Sequence, residues 1–126
     1  MRLLLDTHIF LWWLTDNPAL SKRARAVIGD ADSEIYISAA TAWEIAIKQA
    51  IGKLDFPMER LSESISDANF IPLPIEIPHT ILAGALPRHH ADPFDRMLVA
   101  QASHEGLTIV SADPLIRAYA VAVLEG

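Results

Sequence analysis

Four short apolar runs, RLLL at 2–5, EIYIS at 34–38, FIPLPI at 70–75 and LTIVS at 107–111, constrain the fold most. Each is continuous or nearly so and rich in Ile, Val and Leu, as strands buried on both faces must be. A fifth run, VAVL at 121–124, reads as an edge strand. Between the runs lie helical patterns at 8–15, 21–30, 39–51, 57–68, 77–86, 93–105 and 114–119. Strands alternating with helices call for an α/β fold, a central parallel sheet of four to five strands covered by helices on both faces.

With 126 residues, 52% of them apolar, the chain suits one domain over residues 1–126 and a core that needs no disulfide or structural metal. It has no cysteine, which excludes thiolate metal sites and cysteine nucleophiles and suits a reducing, cytoplasmic setting. The run IFLWWL is too short for a signal peptide or a membrane span. Net charge is −6, from 16 acids against 10 Lys plus Arg, and no basic run occurs. A nucleic-acid partner held by Lys and Arg alone is therefore disfavoured, and any phosphate partner needs cations from elsewhere.

Helix punctuation separates structural acids from the rest. In DPFD, Asp92 stands at a helix N-cap with Pro93 at the first helical position, and ADPLI repeats the device with Asp113 and Pro114. Ligands of open parallel sheets sit outside the carboxyl ends of the strands. Asp6 ends the first strand, Glu44 follows EIYIS, Asp95 opens the helix leading into LTIVS, and Asp113 lies two residues beyond that strand. Each also has a structural reading. Asp6 and Asp113 fit as caps, Asp95 gains from a helix dipole, and Glu44 is placed to pair with Lys48.

Taken together, the structural readings leave a remainder. Capping accounts for Asp92 and makes Asp95 redundant as a cap, while Glu44 lies in an almost wholly apolar helix and needs a partner. Were the four acids to meet in one crevice, each pair at about 5 Å would repel by about 3 kcal/mol at an effective dielectric of about 20. A cation or a proton must relieve this. Oxygen donors without histidine or thiol suit Mg2+ or Mn2+ better than Zn2+. Such a cation also links an acidic protein to a phosphate, and phosphodiester hydrolysis is the reaction class it favours.

LLLDTH, SAATAWEIAIK, DPFDRMLVAQA and LTIVSADPLI, in this order, resemble the PIN-domain ribonucleases, and most closely the VapC-type toxins of prokaryotic toxin-antitoxin operons. The resemblance extends from residue 3 to about residue 120 and includes Trp43 before Glu44 and Arg96 after Asp95. It implies a three-layer α/β/α PIN-like fold and Mg2+- or Mn2+-dependent endoribonuclease activity. Asp6, Glu44, Asp95 and Asp113 are then the catalytic, metal-binding acids, with the hydroxyls of Thr7 and Ser111 beside them. RNA as substrate, a cognate antitoxin, and a homodimer or dimer of dimers are implied as partners. A receiver-like phospho-acceptor domain is a rival class, but LTIVSADP lacks the lysine such a domain uses. A non-catalytic PIN scaffold that binds RNA or a partner is the remaining alternative.

His89, His90 and Asp92 offer zinc donors, although adjacent histidines in a proline-flanked loop read more simply as solvated or as RNA contacts. His8, His79 and His104 read as surface or packing residues. Lys48 and Arg96 are the candidates for RNA contact, among the nearby cations Lys53, Arg88 and Arg117; Lys48 pairing with Glu44 and Arg96 pairing with an acid are the bland versions. The helix THIFLWWL is apolar on nearly every face, so either part of it meets another chain, such as an antitoxin segment, or its tryptophans cover the core.

Overall fold

Every apolar run forms a strand. In a computed structural model that covers residues 1–126, β1 (Arg2–Leu5), β2 (Glu34–Ser38), β3 (Ile71–Leu73), β4 (Thr108–Ser111) and β5 (Val123–Glu125) form one sheet. The strand order is β3-β2-β1-β4-β5 and all pairings are parallel. Six α-helices connect and cover the strands: α1 (Thr7–Leu14), α2 (Lys22–Ile28), α3 (Ala39–Ala50), α4 (Leu61–Asp67), α5 (Ile77–Ala85) and α6 (Pro93–Glu105). The result is a three-layer α/β/α arrangement. No helix is long and apolar enough to cross a membrane.

The central strand explains the layers. Successive side chains of a strand point to opposite faces. Leu3 and Leu5 enter one core with Ile9 and Phe10 of α1 and Ala24 and Ile28 of α2. Leu4 enters the other with Leu98, Val99 and Ala102 of α6 and Ile109 of β4. All three leucines are completely buried.

Three expected elements differ in extent. β3 is shorter than 70–75 because Pro72 and Pro74 offer no N–H to a ladder, and the strand lies at the sheet edge where one proline is tolerated. The pattern at 57–68 splits into a 3-10 turn, Met58–Arg60, and α4. At 114–119 there is only a 3-10 turn, Ile116–Ala118, since Tyr119 turns extended and sends its hydroxyl back to the His90 N–H at 2.9 Å.

The apolar excess of α1 is largely absorbed inside the chain. Leu11, Trp12, Trp13 and Leu14 are half-buried against the first core, with Trp13 tilted against Phe70. Exposed apolar surface lies instead on α3 and its C-cap, where Trp43 is 62% and Ile51 60% exposed, and on α5, where Ile77 and Ile81 stand out.

β1 has β2 on one side and β4 on the other, so the connections leaving these strands diverge and open a crevice at their carboxyl ends. Leu4 anchors α6 against that crevice. A Leu4→Ala variant should lose roughly 2–5 kcal/mol of stability by urea unfolding with an unchanged m-value.

Candidate active site

The carboxyl ends of β1, β2 and β4 each deliver an acid to one crevice, and α6 delivers a fourth. Asp6 directly follows β1 and caps α1, its Oδ1 accepting the Ile9 N–H at 2.9 Å. Ser38 ends β2 and caps α3, and the second turn of that helix carries Glu44. Asp92 caps α6, accepting from the N–H groups of Phe94 and Asp95, so Asp95 is free of capping duty. Asp113 follows β4 by two residues, and its Oδ1 accepts the Leu115 N–H. Capping and site geometry coexist at Asp6, whereas the expected cap at Asp113 is not one: no helix starts at Pro114, and the Asp113 carboxylate closes a local turn on the Leu115 N–H.

The arrangement is graded. Asp95 and Asp113 come closest, each with Oδ2 within hydrogen-bond distance of the Nε2 of His90, at 3.0 and 2.8 Å. Asp6 and Glu44 line the same crevice near enough to act electrostatically on Asp95. Glu44 is buried and held by two donors: the Thr7 hydroxyl at 2.6 Å and the Lys48 ammonium at 2.7 Å. The Thr41 hydroxyl lies 3.3 Å from that of Thr7. Ser111 is fully buried, donates to Asp6 and accepts the N–H of Asp113, tying the ends of β1 and β4 together.

Crowding shows in the acidities. Burial, followed by the charges of Asp92 and Asp6, pushes the Asp95 carboxyl up to about 7, with Glu44 adding to the rise and His90 opposing it. Burial likewise raises Asp6 despite hydrogen bonds from Ser111 and the Ile9 N–H. For Asp113 burial also acts upward, but the Leu115 N–H and His90 together outweigh it and the net position is below the ordinary value. Converging carboxylate oxygens with unrelieved negative charge fit a hard divalent cation, and the N-terminal ends of α1 and α6 offset only part of that charge.

The sequence matches the PIN domain family over residues 3–122. The chain belongs to the PIN-domain family. Ribonuclease VapC22 of Mycobacterium tuberculosis is 28% identical over an alignment 123 residues long that covers 92% of this chain and 90% of that protein. Among solved structures, VapBC2 from Rickettsia felis bound to a DNA fragment from their promoter superposes with a TM-score of 0.72 at 15% identity, covering 99% of this chain and 98% of that one. A toxin-antitoxin complex from Klebsiella pneumoniae gives 0.66 at 18% identity, over 97% of this chain and 95% of that one. At these identities the superpositions speak to the fold.

Two expectations for this PIN domain are corrected. Arg96 is not available as an RNA contact: its guanidinium donates to the carbonyls of Ala83, Leu86 and Pro87 at 2.9 to 3.0 Å, closing the end of α5. His90, read as a solvated or RNA-contacting loop side chain, is instead 11% exposed with its Nε2 on Asp95 and Asp113, and the disfavoured zinc grouping of His89, His90 and Asp92 does not assemble. Asp92 is a cap, His89 lies edge-on to Tyr119, and the acids within ligand distance of His90 are Asp95 and Asp113. Sequence reasoning passed over Thr41, whose position three residues before Glu44 on one helix face was the available signal. His79, expected at the surface or in packing, is fully buried between the Glu76 N–H and the Glu105 carboxylate.

The raised acidity constant of Asp95 fixes a sign. A carboxyl at about 7 in the native state and 3.8 otherwise keeps its proton longer when folded. Its contribution to stability is therefore greatest below 3.8, is lost as pH rises to about 7, and is flat above. In EDTA, the difference in melting temperature between Asp95→Asn and wild type should grow in favour of the variant from about pH 4 to pH 7. A constant difference across that range would contradict the crowding of Asp95.

Proposed function

We propose that this PIN domain is a Mg2+- or Mn2+-dependent endoribonuclease and the toxin of a toxin-antitoxin pair. The observation that carries the reading is the approach of Asp95 to Asp113, Asp6 and Glu44 in one crevice, where burial first, and then the charges of Asp92, Asp6 and Glu44, pushes the Asp95 carboxyl up to about 7. Asp6, Glu44, Asp95 and Asp113 would hold the cation, which when bound supplies a water nucleophile near neutral pH and stabilises charge on the phosphorus oxygens. Thr7 orients Glu44, and Ser111 orients Asp6, each by a hydroxyl donor to the carboxylate. Lys48, 37% exposed beyond its pair with Glu44, is placed to meet a phosphate at the rim. With a net charge of −6, the cation also accounts for how an acidic surface accepts a polyanion.

The biological side of the proposal draws on the relatives. One is named a ribonuclease, and the structures that superpose include a toxin-antitoxin complex. A cognate antitoxin, assembly as a homodimer or dimer of dimers, and a cytoplasmic setting follow from that likeness. The exposed apolar side chains of α3 and α5 offer surface for such contacts.

Purified protein should cleave single-stranded RNA with Mg2+ or Mn2+ and stop on addition of EDTA. Asp6→Ala and Asp95→Asn should remain folded by circular dichroism yet lose about 100-fold or more in rate, the equivalent of several kcal/mol of transition-state stabilisation. RNA binding without turnover at any metal concentration would support a non-catalytic scaffold in its place.

A further inference from the structure

His90 is a polar side chain of the crevice that the mechanism above does not use. Its Nε2 lies 2.8 Å from Oδ2 of Asp113 and 3.0 Å from Oδ2 of Asp95, so it touches the two acids that converge most closely. An imidazole there has two possible roles. It is either a nitrogen ligand to the cation or a donor that aims the carboxylates.

The other ring nitrogen decides between them. Nδ1 accepts the backbone N–H of Asp92 at 3.1 Å. A backbone amide only donates, so Nδ1 carries the lone pair and the ring proton sits on Nε2, facing the carboxylates. A ligating histidine has the reverse arrangement, because its second nitrogen donates to a carboxylate, carbonyl or water. Ligation through Nε2 would set a ring N–H against the Asp92 N–H and abolish that hydrogen bond.

The backbone that carries the ring is also fastened. The His90 N–H donates to the Tyr119 hydroxyl at 2.9 Å, and Arg96, clamped to the end of α5, holds both the Tyr119 hydroxyl at 3.3 Å and the His90 carbonyl at 3.5 Å. The side chain is only 11% exposed. Asp92 therefore serves twice, capping α6 with its carboxylate and setting the His90 tautomer with its amide.

We propose that His90 is a positioning residue, a fixed hydrogen-bond donor that draws Asp95 and Asp113 together and aims their remaining lone pairs into the crevice, and is not itself a metal ligand. The inference rests on the metal-nuclease reading, and adds to it the group that holds two like-charged ligands in register.

Mn2+ binding to the full-length protein tests it, by titration calorimetry on wild type, His90→Ala and His90→Gln, with pulsed EPR on the Mn2+-loaded wild type. Glutamine keeps a donor near the Nε2 position and offers no imidazole nitrogen. His90→Ala should weaken Mn2+ binding on the order of tenfold to a hundredfold, as loss of a ligand-orienting partner does. His90→Gln should recover most of that affinity, and the wild-type spectrum should lack imidazole nitrogen coupling. Glutamine failing as badly as alanine, with nitrogen coupling in the wild type, would make His90 a ligand and overturn the proposal. Wild-type affinity in both variants would overturn it too, leaving His90 a structural residue. Should alanine fail to fold, the glutamine variant and the EPR spectrum still decide. Wild type that takes up no Mn2+ would instead remove the metal-nuclease reading and this inference along with it.

Discussion

Like charges held close together away from water set the terms for everything else in this chain. Asp95 shares a buried crevice with Asp6 and Glu44 and meets Asp113 across a single imidazole, and burial first, then the charges of Asp92 and Asp6, raises its carboxyl well above the ordinary value. Such a cluster persists only where stronger forces fix the backbone that carries it. Here those forces are the parallel ladder joining β1 to β2 and β4 and the two cores that share β1 between them. Around the acids, local donors limit the damage: Thr7 and Lys48 on Glu44, Ser111 on Asp6, His90 on Asp95 and Asp113.

The strand order turns that constraint into a site. Because β1 is central, residue 6 leaves the sheet between two connections that diverge, and the acids after β1 and β4 face one another across adjacent strands. α6 is then held at a fixed angle, by Leu98, Val99 and Ala102 in the second core and by the Arg96 clamp to the end of α5. A residue read from the sequence as an RNA contact turns out to hold the scaffold of the site. Its five-donor guanidinium matches the unsatisfied carbonyls at a helix end, a need no local pattern announces.

What the sequence made legible follows from how local each signal is. β1, β2 and β4 were readable because a strand buried on both faces is apolar throughout, and Asp6 and Asp113 because they stand just past such runs. Asp92 and Asp95 could be told apart by Pro93, which fixes where α6 begins. The remainder depended on partners distant in sequence. Tyr119 ends the expected helix at 114–119 by reaching back to His90, and His90 owes its orientation to Asp92, Tyr119 and Arg96 together. The tryptophans of α1 presented the same ambiguity. An apolar helix reads alike whether it faces another chain or Phe70 of its own.

The proposed convergence of Asp6, Glu44, Asp95 and Asp113 on a divalent-cation site is the central claim, and thermal melting under metal titration tests it most directly. A cation that binds only the native state raises stability by RT ln(1 + [L]/Kd). At neutral pH the melting temperature of the wild type should climb with Mg2+ or Mn2+, and that climb should vanish in Asp95→Asn while the metal-free variant melts above the metal-free wild type. Wild-type melting that ignores millimolar Mg2+ and Mn2+, or a climb of equal size in Asp95→Asn, would contradict the account.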